Sequence, residues 1–342
     1  MFYPALRPSV MSQTAVDSRR LPNFPISFFA VVMGLSGLTI AWEKALHVFA
    51  LELNGVGFDP SLRIGLWMAS ATAAVFSLLV LFYLAKLVVY PKQVLEELRH
   101  PIKLNFFAAV SISLLLLSIA FLPIDETISR PLWMTGASLH LLFTLYVVSV
   151  WIHHEHFEVH HMNPAWFIPA VGNVLVPVAG VPLGFIDISW FFFSIGMLFW
   201  GLLMTIIFYR LLFHAPIPER FMPTLFILIA PPAVGFIAYM RLVGELDPLA
   251  MVLYFSALFL TLLLFAQARY FARLKFFLSW WAYTFPLAAI SIASMLMFEQ
   301  GQGDVYRWIG AGLLSILTLV VIFLLLRTLY AVIRHGICLP GH

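Results

Sequence analysis

Long stretches of this chain pass without a single charge, and that feature most limits what it can fold into. Leu104–Ile124, Phe276–Phe298 and Trp308–Leu326 contain no Asp, Glu, Lys or Arg. Each matches the ~20 residues a helix needs to cross the ~30 Å hydrocarbon core of a bilayer. Across the whole sequence 62% of residues are hydrophobic and 10% charged, against roughly a quarter charged in soluble domains. A chain of mean hydropathy +0.98 belongs in lipid. There the backbone must satisfy its own hydrogen bonds, so blocks of this length are helices.

Ten blocks are readable, over 24–44, 61–89, 102–122, 131–152, 164–182, 188–212, 221–243, 248–270, 277–298 and 305–333. The connections are too short for a soluble domain. The expected organisation is a hydrophilic tail over 1–23, one all-α integral membrane domain of ten transmembrane helices over 24–334, and a second tail over 335–342. The first tail has no apolar signal core, so the first span is expected to be retained. Cys338 is the sole cysteine, which excludes an intrachain disulfide and a cysteine metal site.

Lys and Arg set the orientation. The tails contribute five (Arg7, Arg19, Arg20, Arg327, Arg334) and the loops after even-numbered spans nine, giving fourteen on one side. Lys44, Arg63, Arg130, Arg241 and Arg307 fall on the other. The positive-inside bias puts both termini in the cytoplasm, as an even number of spans requires, in the inner membrane of a bacterial-type cell. A net charge of +3 distributed this way points to no nucleic-acid partner.

An internal repeat underlies the ten spans. Odd-numbered spans open on a proline among aromatic residues: Phe24-Pro25, His100-Pro101, Asn163-Pro164, Met222-Pro223 and Phe285-Pro286. The starts recur roughly every 55 to 75 residues, one helical hairpin each, which implies five hairpins. Odd spans also carry internal prolines such as Pro169, Pro231 and Pro286. Small residues accompany them: Ala30, Gly34, Ser111, Gly172, Ala233 and Ser291. Even spans are bulky, as in Leu78-Leu79-Val80-Leu81-Phe82. A helix facing lipid has no use for the carbonyl that a proline frees, whereas a helix beside a wet cavity can hydrate it. Odd helices are therefore expected inside, lining a passage, with even helices outside.

Few residues offer chemistry. His153, His154, His156, His160 and His161 crowd one loop with Glu155 and Glu158. His156 and His160 could share a helical face, but an interfacial loop explains them as well and no metal site is assigned. Gly34-Leu35-Ser36-Gly37 has the look of an intramembrane serine protease motif, which would need His140 at the same depth as its base. A lone mid-span histidine cannot supply paired haem ligands, and no cofactor is implied. The middles of the odd spans hold no charged side chain. Proton-coupled pumps hide an acid, base or histidine relay there, so passive conduction is the expectation. Composition leaves the sign of the ion open, since carbonyls freed by prolines would favour cations or water.

The odd-span motifs resemble the tellurite-resistance/dicarboxylate transporter superfamily, which includes the tellurite-resistance protein TehA and the plant slow anion channels. The resemblance covers Leu21 to about Arg334. It rests on Pro25-Ile26-Ser27-Phe28-Phe29-Ala30 with Gly34, on Asn163-Pro164-Ala165-Trp166-Phe167-Ile168-Pro169-Ala170-Val171, on Ile229-Ala230-Pro231-Pro232-Ala233-Val234, and on Trp281-Ala282-Tyr283-Thr284-Phe285-Pro286. It implies five hairpins about a quasi-five-fold central pore, homotrimers with one pore per protomer, and conduction of small inorganic anions such as chloride and nitrate rather than an enzymatic reaction. It places a pore plug at Phe285 and small pore-facing residues at Ala30 and Gly34. The alternative within the superfamily is a proton-coupled carrier of C4-dicarboxylate, sulfite or tellurite, with Glu43 or Lys44 as a titratable group at the pore mouth.

Overall fold

The computed structural model describes residues 20–50, 60–153, 158–334 and Cys338. The expected tail residues 1–19, most of 335–342, and His154, Glu155 and His156 lie outside the described residues. Within them nine helices are long and apolar enough to span a membrane. They are α1 (Ile26–Phe49), α2 (Ile64–Val89), α3 (Lys103–Phe121), α4 (Glu126–His153), α6 (Ile186–Phe213), α7 (Glu219–Val243), α8 (Pro248–Ala266), α9 (Leu278–Glu299) and α10 (Asp304–Ile333). Between α4 and α6 runs the shorter apolar α5 (Pro164–Gly180). This is a multi-pass, all-helical membrane protein.

Most boundaries fall within a few residues of expectation. The fourth helix starts at Glu126 instead of 131, because Asp125 caps it, its Oδ1 accepting from Thr127 N at 2.8 Å. Pro131 then sits inside the helix, where it forfeits one hydrogen bond. The eighth helix stops at Ala266, four residues early, and a separate turn Ala268–Phe271 follows.

The fifth helix is not continuous. A 3₁₀ turn Pro164–Trp166 leads into α-helix Phe167–Val171, then 3₁₀ again over Gly172–Leu175, then α-helix Val176–Gly180. Pro169 and Pro177 remove the amide donors that would bridge these joints. Side chains take over: Thr144 Oγ1 lies 2.7 Å from the Pro169 carbonyl, and Asn173 Nδ2 donates to Ala170 O at 2.8 Å. The same device recurs at every inner helix. 3₁₀ segments Ile26–Phe28, Lys103–Phe107, Glu219–Ile229 and Leu278–Tyr283 open α1, α3, α7 and α9.

Burial separates two helix sets. In their most apolar stretches α1, α3, α7 and α9 are 67–78% buried, and α2, α4, α6, α8 and α10 only 17–39%. The exposed side chains of the second set, such as Leu81, Leu142, Phe259 and Leu319, are what a lipid-facing surface needs. Each odd helix packs on the even helix that follows it. Among the odd helices α1 touches α3, α3 touches α5, α5 touches α7, α7 touches α9, and α9 returns to α1.

A buried ion pair fastens one end. Lys86 Nζ, at the end of α2, donates to Glu97 Oε2 at 2.9 Å and to Phe24 O at 2.7 Å. Tyr83 adds a bond to the same carboxylate oxygen at 2.8 Å. Glu97 belongs to the amphipathic helix Pro91–Arg99, so the pair ties that helix and the start of α1 to α2. Removing one partner of a buried pair strands the other charge, at a cost of about 3–5 kcal/mol. Glu97→Ala should therefore lower the thermal midpoint of the detergent-solubilised protein strongly. The Lys86→Met/Glu97→Leu double variant should recover most of the loss, and equal losses in both variants would contradict this account.

Candidate functional site

Two cavities lie along the line enclosed by the odd helices. The proximal one, at the helices' N-terminal ends, is walled by Ala30 and Met33 of α1, Phe106 and Ile112 of α3, Gly172 and Val174 of α5, Pro231 of α7, and Ala282 and Pro286 of α9, with others. Its wall is almost wholly apolar. The distal one, at the C-terminal ends, is walled by Gly37, Glu43, Lys44 and His47 of α1, Ile119 of α3, Val178 of α5, Arg241 of α7, and Ala289 and Glu299 of α9, with others. Water could occupy about 70 Å³ of the proximal cavity and about 710 Å³ of the distal one, so the passage is tight at one end and wide at the other.

Three residues line both cavities: Leu175, Val234 and Phe285. They form the neck between the chambers. Leu175 sits at the end of the 3₁₀ break in α5, where the backbone turns, and Val234 follows the Pro231-Pro232 pair in α7. Phe285 directly precedes Pro286 at the 3₁₀-to-α junction of α9. Sequence reasoning found Phe285 but neither Leu175 nor Val234, since nothing distinguishes them from other aliphatic residues.

The small residues of the odd spans divide. Ala30 and Gly172 line the proximal cavity, as do Pro231 and Pro286. Gly34, Ser111, Ala233 and Ser291 line neither. Gly34 is pressed against α9, where an added Cβ would collide with the Thr284 hydroxyl and the Trp281 ring. Ser111 donates to Ala108 O at 2.8 Å and lies 2.9 Å from His140 Nδ1 of α4. Ala233 is fully buried, and Ser291 donates to Gly310 O of α10 at 2.8 Å. Pro169 lines neither cavity, its carbonyl meeting Thr144. The physical reason is shared: a hydroxyl in an apolar surrounding bonds to backbone or a neighbouring helix, and a missing side chain is equally useful for close packing.

Those contacts fix α9 along its length. Trp281 Nε1 donates to Thr328 Oγ1 of α10 at 3.0 Å, Ser291 reaches Gly310, and Ser294 meets Tyr254 of α8 at 3.1 Å. On the α1 side Gly34 and Gly37 permit close approach, with an added Cβ at Gly37 only 3.0 Å from Ala288 Cβ. The Phe285 ring is only partly buried and, alone among the α9 residues, lines both cavities.

Charge gathers at the two ends. In the distal cavity Lys44 pairs with Glu299, while Glu43, His47 and Arg241 share the wall. Near the proximal mouth His100 feels Lys103 and Arg220, in the first turns of α3 and α7, and His161, just before α5. Burial first, and these cations second, push the His100 imidazole below its ordinary value. In the histidine-rich loop His160 Nδ1 sits 3.0 Å from Glu158 Oε2, and His161 closes a cap on the Glu158 amide at 3.1 Å. Among the described residues no three of His, Cys, Asp or Glu converge as a metal set. Ser36 is fully buried, and the hydrogen bond of His140 is to Ser111.

Fold and site define a multi-pass helical membrane protein with two cavities, one of them almost wholly apolar, between its buried helices. The chain belongs to the voltage-dependent anion channel family, whose pattern matches residues 23–329. It is 30% identical over 319 residues to the S-type anion channel SLAH3 of Arabidopsis thaliana, an alignment covering 90% of this chain and 48% of that one. It is 26% identical over 313 residues to the tellurite resistance protein TehA homolog of Haemophilus influenzae, covering 90% of both. To the guard cell S-type anion channel SLAC1 of Arabidopsis thaliana it is 26% identical, covering 90% of this chain and 56% of that one. The chain thus spans about half the length of these plant relatives.

The α1–α9 contact is open to test. Overpacking a tight helix contact costs about 1–3 kcal/mol. Gly34→Ala should lower the thermal midpoint in detergent, while Gly312→Ala, with open space where its Cβ would go, should leave it unchanged. Equal midpoints for the two variants would show that α1 and α9 tolerate separation.

Proposed function

We propose that the chain is a passive channel for small monovalent anions, in which five helical hairpins surround a quasi-five-fold central pore and Phe285 plugs its neck. The carrying observation is that Phe285 lines both chambers. Family membership supports transport of anions, and the apolar proximal wall supports passage without tight capture. Basic groups near the proximal mouth favour negative ions, while in the distal cavity Lys44 and Arg241 are balanced by Glu43 and Glu299. The carbonyls freed by prolines, which alone would favour cations, contribute little to so apolar a wall. An aromatic ring in a narrow apolar neck is a barrier by size and by dewetting. Because α9 is fastened to α1, α8 and α10, the moving part in this reading is the ring and not the helix. A homotrimer with one pore in each protomer accords with the same reading.

Two measurements test it. Every ~1.4 kcal/mol removed from a barrier raises a rate tenfold. Phe285→Ala should therefore increase chloride or nitrate current on the order of tenfold or more in planar bilayers, with Phe285→Leu intermediate. Unchanged current in a correctly folded variant would remove the plug assignment. Selection in such a pore follows the cost of dehydration, so nitrate and iodide should permeate better than chloride.

The second reading, a proton-coupled carrier of C4-dicarboxylate, sulfite or tellurite, draws on the acidic and basic side chains of the distal cavity. It requires saturable uptake driven by a pH gradient, whereas a channel gives current that follows the anion gradient alone.

A further inference from the structure

The distal cavity holds an unusual balance of charge. Two cations, Lys44 and Arg241, share its wall with two carboxylates, Glu43 and Glu299. Lys44 is paired with Glu299 across the α1–α9 contact. Glu43 has no such partner: its Oε1 is buried without a hydrogen bond among the described residues and lies where a Cβ on Gly65 of α2 would be. Glu299 Oε1 is likewise buried without a hydrogen bond. With both carboxylates ionised, the four charges cancel and an anion entering the wide chamber meets little net attraction. With a proton on Glu43 the chamber carries a net positive charge inside low-dielectric walls, where field lines are focused.

We propose that the distal cavity is a proton-tuned anion-capture site, in which Lys44 and Arg241 attract a small anion and Glu43 sets their effective charge by taking up a proton. The proposal rests on the anion-channel reading above. Glu43 is assigned as the titrating group because its carboxylate has no ion-pair partner among the described residues, whereas Glu299 is paired with Lys44. The other charged groups on elements packed around it are accounted for. His47 follows it by one turn on α1. Glu299 is held by Lys44 on α9. On α10 Arg307 and Asp304 pair with each other at 3.4 Å. Asp125, in the turn after α3, is held ionised by its bonds to Thr127. Arg63 of α2 has its side chain outside the described residues. Acid on the distal side should thus increase anion conduction, the reverse of what a carboxylate-driven cation pore would show.

The test uses the purified full chain in planar bilayers, in the Phe285→Ala background so that current is measurable, with chloride as the ion. Lowering the distal-side pH from about 7.5 to about 5 should raise the conductance several-fold, on the order of the tenfold that focused fields deliver. Glu43→Gln should conduct at the raised level already at the higher pH and respond little to the step. His47→Gln should keep the response, which separates Glu43 from the neighbouring imidazole. A full acid response in Glu43→Gln would overturn the proposal. A second measurement does not depend on current: iodide located by anomalous diffraction in crystals soaked at both pH values. Iodide should occupy the cavity beside Lys44 and Arg241 at acid pH in the unsubstituted protein and at both pH values in Glu43→Gln. An empty cavity in Glu43→Gln would overturn the capture site. Iodide present there with no anion current in any variant would fault the channel reading instead.

Discussion

Hydrocarbon offers no hydrogen bonds, and every feature of this fold answers that constraint. The outer helices meet it in the ordinary way, with unbroken α-helix and apolar side chains turned outward. The inner helices do not. Each opens in 3₁₀ geometry, and α5 passes through four short segments with prolines at its joints. Such a backbone is tolerated at membrane depth only where protein or a wet cavity lies beside it. The five outer helices supply the first condition and the two chambers the second. Thr144 and Asn173 show the cost of irregularity at α5, because two buried polar side chains are committed to the Pro169 and Ala170 carbonyls beside its α-to-3₁₀ switch.

From this follows the position of the neck. A regular α-helix presents one narrow stripe to a central axis, so five of them would enclose a uniform tube. The joint at Leu175, the Pro231-Pro232 pair beneath Val234 and the Pro286 junction beside Phe285 fall where the two chambers meet. Close contact between α1 and α9 is the second requirement. Gly34 and Gly37 bring the two backbones together at the depth of Thr284 and Phe285, leaving the ring no room on that side. The direction of the ring is thus limited by the helix contact as well as by the cavities, for Gly34 lines neither chamber and Gly37 only the distal one.

The nine membrane-length helices among the described residues and the inner and outer sets were legible in the sequence because length, proline placement and bulk are properties of whole segments, whereas the fifth of the ten expected spans is a shorter, broken helix. Phe285 was legible only through family resemblance joined to its place before a proline. Ser111 and Ser291 were not legible as packing residues. In α3 and α9 most of the surface is apolar, so no hydrophobic stripe reveals which way a hydroxyl points. His140 and Gly310, which decide those directions, lie on other helices. The start of α4 lies five residues before the expected one, because Asp125 caps the helix at a point where the sequence is still polar.

The distribution of charge completes the argument. A fixed cation in a narrow apolar neck would bind an anion tightly and hold it there, because nothing in that medium competes for it. Here no charged side chain lines the neck or the proximal chamber, and the charges sit at the two ends. In the proposed channel the charged groups act at the ends, and the apolar middle gives the ion no reason to stay. The barrier in that proposed channel would be the cost of shedding water past Leu175, Val234 and Phe285, and that cost rises steeply with ionic charge. A monovalent ion can meet it with little help, whereas a dianion would require donors that this wall does not contain.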